Sequence, residues 1–136
     1  MEKHLIIYTD GCSKGNPGPA SIGVIVYQKG DSQPIFVTSD KIGTTTNNQA
    51  EYRALIRALE FALKNKANRV EVRSDSELIV NQMNGTYRVK KAELKPLQQE
   101  AKRLAGLIDD FSICSIPREQ NREADKLANK ALDSGK

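Results

Sequence analysis

From His4 to Tyr8 the chain is a nearly unbroken apolar run that stops at Thr9-Asp10-Gly11, the pattern of a strand buried on both faces. Ser21 to Gln28 and Pro34 to Ser39 are rich in β-branched residues and bounded by Gly-Asp turn signals, which predicts a three-stranded antiparallel meander. The period then changes. From Ala50 onward Ala54, Leu55, Ala58, Leu59, Ala62 and Leu63 recur at helical spacing, so a helix follows. Arg69 to Arg73 alternates as a short strand, and Ser74-Asp75-Ser76-Glu77 opens a second helix that stops near Gly85. Leu94, Leu97, Ala101, Leu104 and Leu107 mark a third amphipathic helix. Phe111 to Ile116 is a last strand closed by Pro117, and Ala124, Leu127, Ala128, Ala131 and Leu132 form the stripe of a final helix. The order β-β-β-α-β-α-α-β-α predicts an α/β protein, a mixed sheet with helices packed on it.

No repeat interrupts this order, and the Gly/Pro-rich stretch 15–19 is too short to link domains, so residues 1–136 read as a single domain. With 38% apolar and 28% charged residues and no apolar run near the ~20 residues of a membrane helix, a soluble, cytoplasmic protein without a membrane partner is expected. Cys12 and Cys114 lack metal-binding spacing, and His4 is the one histidine. Thiolate zinc chemistry and histidine-based nucleophilic catalysis are therefore set aside, leaving carboxylates or metals for any hydrolytic work. Lys and Arg total 21 against 17 Asp and Glu, and within 88–103 Arg88, Lys90, Lys91, Lys95, Lys102 and Arg103 face only Glu93 and Glu100. Such a local basic stretch suits contact with a polyanion along one edge, although a solvated helix face is the plainer account of charge alone.

Four acids fall at informative places. Asp10 ends the most apolar strand with the side-chain parity of Ile6 and Tyr8; strand ends of this kind hold sites in α/β sheets, while an Asp-Gly turn is the plain alternative. Glu51 lies in the first helical turn, in register with Leu55, Ala58 and Ala62, and also completes a capping-box pattern with Asn48. Asp75 sits inside the similar pattern Ser74-x-x-Glu77, and Asp125 borders the final apolar stripe, where a surface acid is ordinary. Central pairing of the strands would bring the four together. Repelling carboxylates in a partly buried pocket imply hard divalent cations, Mg2+ or Mn2+, and two such ions sharing a carboxylate serve in-line displacement at phosphorus. The three glycines and two prolines of 10–19 permit close backbone approach to a ligand, and Asn47-Asn48 offer amides suited to a shallow minor groove. Either stretch could instead be turn chemistry.

The ordered segments YTDGCSKGNPGPA, TTTNNQAEY, VRSDSELIV and IPREQNREADKLAN resemble the type 1 ribonuclease H (ribonuclease HI) family from about Ile6 to Leu132. The resemblance implies the ribonuclease H-like fold, a five-stranded mixed sheet flanked by helices. It also implies an endoribonuclease that hydrolyses the RNA strand of RNA/DNA hybrids with two Mg2+ ions, leaving 5′-phosphate and 3′-hydroxyl ends. By it, Asp10, Glu51, Asp75 and Asp125 are catalytic metal ligands: Asp10 bridges both ions, Asp125 serves the ion that activates water, and Glu51 with Asp75 the ion at the leaving oxygen. Glu51 would also sense the RNA 2′-hydroxyl. Asn16, Asn47 and Asn48 match minor-groove contacts, and Thr46 a contact to a DNA-strand phosphate. Longer relatives carry a loop histidine before the final acid, and an extra basic helix with tryptophans. This chain has Pro117-Arg118-Glu119-Gln120-Asn121 in place of the former, with Arg118 the candidate cation near the scissile phosphate. In place of the latter it has only Tyr87-Arg88-Val89-Lys90-Lys91. Short, archaeal-like members share both losses, and some also cleave double-stranded RNA, which extends the expected substrates. The expected enzyme is a monomer. The readings against which it is weighed are a catalytically silent hybrid-binding module and a DNA-junction nuclease on the same fold.

Overall fold

The computed structural model describes residues 2–133. Its elements are β1 (His4–Ser13), β2 (Gly18–Gln28), β3 (Pro34–Thr45), α1 (Asn47–Lys64), β4 (Arg69–Ser74), α2 (Glu77–Met83), α3 (Lys95–Ala105), β5 (Asp110–Ser115), a 3-10 turn (Arg118–Gln120) and α4 (Arg122–Asp133). The strands form one mixed sheet in the order β3-β2-β1-β4-β5, the architecture expected from the pattern. The apolar run of β1 occupies the centre, antiparallel to β2 and parallel to β4.

Alternation along the strands divides the sheet into two faces. Leu5 and Ile7 of β1, Val24 and Val26 of β2, and Val70 and Val72 of β4 are fully buried with Tyr52, Leu55 and Leu59 of α1, and Leu104 of α3 and Ile79 of α2 join the same core. Gln82 is a buried polar link within this layer. Its Oε1 accepts from the Tyr52 hydroxyl at 2.6 Å and its carbonyl accepts from Gln98 Nε2 at 3.0 Å, tying α2 to α1 and α3. The opposite face carries α4. A Cβ on Gly23 would overlap the Ala124 carbonyl oxygen of α4, so glycine lets that helix lie directly on β2. Ser21 and Ser39 hydroxyls donate to the Ala128 and Leu127 carbonyls and fix the helix there.

Several boundaries depart from the sequence pattern for local reasons. Leu107, expected on the third helical stripe, is 62% exposed because α3 ends at Ala105, ahead of it. Most of the stretch after Asp10 is strand rather than loop: β1 continues to Ser13 and β2 begins at Gly18, leaving a short connection that carries Asn16. Gly11 serves α1. Its Cβ would overlap the Ala50 carbonyl and crowd the Glu51 nitrogen, so the helix can only rest on β1 here if the side chain is absent. No helix among the described residues is long and apolar enough to cross a membrane.

Gly11→Ala should therefore cost about 3 kcal/mol, because both colliding partners are backbone and cannot rotate away. Urea unfolding with an unchanged m-value would measure it. A loss under about 0.5 kcal/mol would show that α1 does not need this contact.

Candidate active site

Asp10 lies within β1 rather than at its end. The antiparallel ladder to β2 runs on through Asp10↔Gly23 to Ser13↔Ala20, whereas the parallel ladder to β4 stops at Thr9↔Ser74. Asp10 is thus the first residue of β1 beyond its pairing with β4. Asp10 is 5% exposed.

Glu51 reaches Asp10 from α1. The helix is capped by Thr46, whose hydroxyl accepts from Gln49 N–H at 3.2 Å while the Gln49 Oε1 accepts from Thr46 N–H at 3.1 Å. The capping box is therefore Thr46–Gln49, not the expected Asn48–Glu51 pair, and Glu51 is released from capping. Its Oε1 accepts from the Gly11 N–H at 2.9 Å. Asp75 follows β4 directly. The cap of α2 is Ser76, which accepts from Ile79 N–H, so the expected Ser74–Glu77 box does not form and Asp75 is free of it as well. Ser74 accepts instead from Ser76 N–H.

One carboxylate oxygen from each of Asp10, Glu51 and Asp75 lies within 4.8 Å of the others. Asp125, in the first turn of α4, stands at the rim: it is outside this group of three but near enough to Asp10 to help raise its pKa. Asn129, one turn further, donates its amide to the Asp125 Oδ1 at 3.2 Å and accepts weakly from the Cys12 thiol. Burial pushes Asp10 up to about 9, reinforced by the charges of Glu51 and Asp75 and then by Asp125. Burial also pushes Glu51 up to about 8, with Asp75 adding to it and the Gly11 N–H and Arg118 opposing it. Buried like charges at this spacing call for a countercharge. An all-oxygen carboxylate set suits a hard divalent cation such as Mg2+ or Mn2+, so the residues present fit a metal site. His4, at the far end of β1 and about 20 Å of extended chain away, takes no part.

The remaining expected residues surround this cluster. Arg118 lines a surface cleft with Asp75, Glu77 and Pro117, and its charge reaches Glu51. Asn16, in the β1–β2 connection, accepts from the Asn47 N–H at 2.9 Å. With Thr46, Asn48 and Lys91 these two line a cleft of about 580 Å3. Asn48 and Lys91 also line the neighbouring groove, which holds Tyr87, Arg88 and Lys90. The asparagines and the basic stretch thus meet in one continuous surface. Sequence reasoning did not single out Asn121 and Asn129, whose amides touch Asp75 and Asp125; the i, i+4 spacing of Asp125 and Asn129 was the available signal for the second.

A central strand flanked by antiparallel and parallel neighbours, with acids gathered beside it, is the ribonuclease H-like fold. A family model described as reverse transcriptase-like matches residues 8–131. Ribonuclease HI of Halobacterium salinarum is 44% identical over 126 residues, 93% of this chain and 63% of that protein; matching mycobacterial proteins are longer still, the chain spanning 36% of their length. The crystal structure of ribonuclease H1 from the same archaeon superposes with a TM-score of 0.92 at 42% identity, covering 97% of this chain and 99% of that one. LC11 ribonuclease H1, from compost, solved in complex with an RNA/DNA hybrid, gives 0.88 at 45% identity, with 96% and 97% covered. The chain belongs to the type 1 ribonuclease H family.

The raised acids set a sign for stability. Unfolded carboxyls lose their protons near pH 4, whereas folded Asp10 and Glu51 hold theirs to about 9 and about 8. Their contribution is full below the unfolded values and is lost as pH climbs through the folded ones. Metal-free protein should lose about 15 °C of Tm between pH 6 and 9, and saturating Mg2+ should restore most of it. A Tm flat across this window without metal would contradict the burial of these charges.

Proposed function

We propose that this chain is an endoribonuclease that hydrolyses the RNA strand of RNA/DNA hybrids, leaving 5′-phosphate and 3′-hydroxyl ends. The observation that carries the reading is the convergence of Asp10, Glu51 and Asp75, with Asp125 near enough to influence Asp10, in a member of this family. The hybrid bound by the LC11 relative supports the substrate. Asp10, Glu51, Asp75 and Asp125 would hold two Mg2+ ions, with Mn2+ as a substitute, Asp10 being shared. When bound, such ions activate the attacking water and neutralise the charge that develops on the leaving 3′ oxygen.

The chain's own groups place the substrate. Asn16, Asn47 and Asn48 present amides to the minor groove, where 2′-hydroxyls and base edges offer both donors and acceptors. Glu51, a member of the cluster held by the Gly11 N–H, would also sense the RNA 2′-hydroxyl. Thr46 donates its hydroxyl hydrogen to Gln49 Oε1 at 2.9 Å, and would exchange that contact for a DNA-strand phosphate. Arg118 holds the scissile phosphate with a fixed charge and, near neutral pH, does not shuttle a proton. Residues 1–136 act as one ribonuclease H domain, monomeric and cytoplasmic in this reading. Among the described residues no helix lies between α2 and α3, so beyond Thr46 the second strand would meet the 87–91 stretch in place of an extra basic helix. That sparse lining supports double-stranded RNA as a further substrate.

Cleavage of a labelled RNA strand annealed to DNA or to RNA, with and without Mg2+, tests the reading. Mg2+-dependent cutting is expected on the hybrid; binding without cutting would leave the silent module, and cutting confined to branched DNA the junction nuclease. Asp10→Asn should abolish cleavage while sparing the fold and most hybrid binding, and activity within about tenfold of the parent would contradict the shared-ligand assignment.

Replacing the exposed Arg88, Lys90 and Lys91 together by Ala should weaken duplex binding and lower the salt slope by about 2–3, with turnover at saturation changing less. An unchanged affinity and slope would make this stretch a solvated face.

A further inference from the structure

We propose that Asn121 is a positioning residue that sets the relative placement of the site acids for cation binding. It lies between the 3-10 turn and α4, is 1% exposed, and makes contacts in four directions. Its Nδ2 donates to the Thr9 carbonyl, adjacent to Asp10, at 2.9 Å, and to Asp75 Oδ1 at 3.4 Å. Its carbonyl accepts from the Asp125 N–H at 3.1 Å, and its own N–H donates to the Arg118 carbonyl at 2.9 Å. One buried side chain and its backbone thus connect the peptide before Asp10, the Asp75 carboxylate, the Asp125 backbone and the turn that bears Arg118.

The orientation of the amide follows from the chemistry of its neighbours. Both partners of Nδ2 are oxygens, so the flipped amide would set its own oxygen against a carbonyl and a carboxylate. The chosen orientation has a cost: Asn121 Oδ1 is buried without a hydrogen-bond partner, and among the described residues no other buried side-chain nitrogen or oxygen is left so. Asparagine preceding a helix ordinarily turns that oxygen onto an N–H of the first turn. Here that capping bond is absent, and the amide hydrogens are directed at β1 and Asp75. A residue selected only to start α4 would satisfy its oxygen; this one satisfies the sheet and the acid instead. Asp75 sits in an unpaired segment after β4, outside any cap of its own, so this contact is a direct restraint on its carboxylate.

The inference rests on the reading of these acids as divalent-cation ligands, and its test separates the two. In the parent protein, titration with Mg2+ should shift the side-chain amide resonances of Asn121 together with the backbone amides of Asp10 and Glu51, along one binding curve. Shifts at Asp10 and Glu51 with Asn121 unmoved would overturn the positioning role alone; no shifts at any of the three would sink the metal reading and this inference with it. Asn121→Ala and Asn121→Asp carry the second measurement. In whichever folds, calorimetric Mn2+ affinity should fall about tenfold, and the Mg2+ needed for half-maximal cleavage should rise by a similar factor, with turnover recovering to within about threefold of the parent at saturating Mg2+. A lower Tm with unchanged metal affinity would assign Asn121 to stability only and contradict the proposal.

Discussion

Everything at this site depends on the cost of holding several carboxylates of the same sign in a place water hardly reaches. Asp10 and Glu51 are both nearly buried, and each is pushed far above its ordinary range first by burial and then by the other acids. Nothing about a stable sheet requires this, since an apolar or neutral pair would fill the same space without repulsion. The fold supplies partial relief through the Gly11 N–H and the Arg118 charge on Glu51, and the remainder is what the proposed cations would offset.

The architecture can be understood as the means of maintaining that tension. β1 pairs with β2 further than with β4, which leaves Asp10 at an open step in the sheet. Gly11 lets α1 come down onto β1, and the Tyr52–Gln82 bond holds α2 against α1, so Glu51 and Asp75 arrive from two separate elements. Gly23 does the same for α4, and through it for Asp125. The glycines matter here because they allow backbone to approach backbone, not because of any special turn.

How much of this was legible follows from the range of the interactions. The stripe Ala54 to Ala62 and the apolar run of β1 depend on local periodicity, and both formed where the pattern placed them. The acids could be singled out because the pattern set three of them at the expected end of a strand or start of the next helix and the fourth on a helix that follows a strand. Their helix caps could not be assigned, because Thr46–Gln49 and Asn48–Glu51 overlap within one turn and only the contact to Gly11 decides between them. The true position of Asp10 within β1 depends on where a strand sixty residues later stops pairing. Asn121 was invisible for the same reason: its amide meets a carbonyl 112 residues away in the chain and a carboxylate 46 away.

The most direct test of the account is to locate the cations. Crystals of the parent chain with Mn2+ and a cleavage-resistant RNA/DNA hybrid, measured at the manganese absorption edge, should show two anomalous peaks about 4 Å apart, both in contact with the Asp10 carboxylate. A single peak, or peaks that leave Asp10 without an ion, would contradict the proposal that the buried carboxylates exist to be shared between two metals.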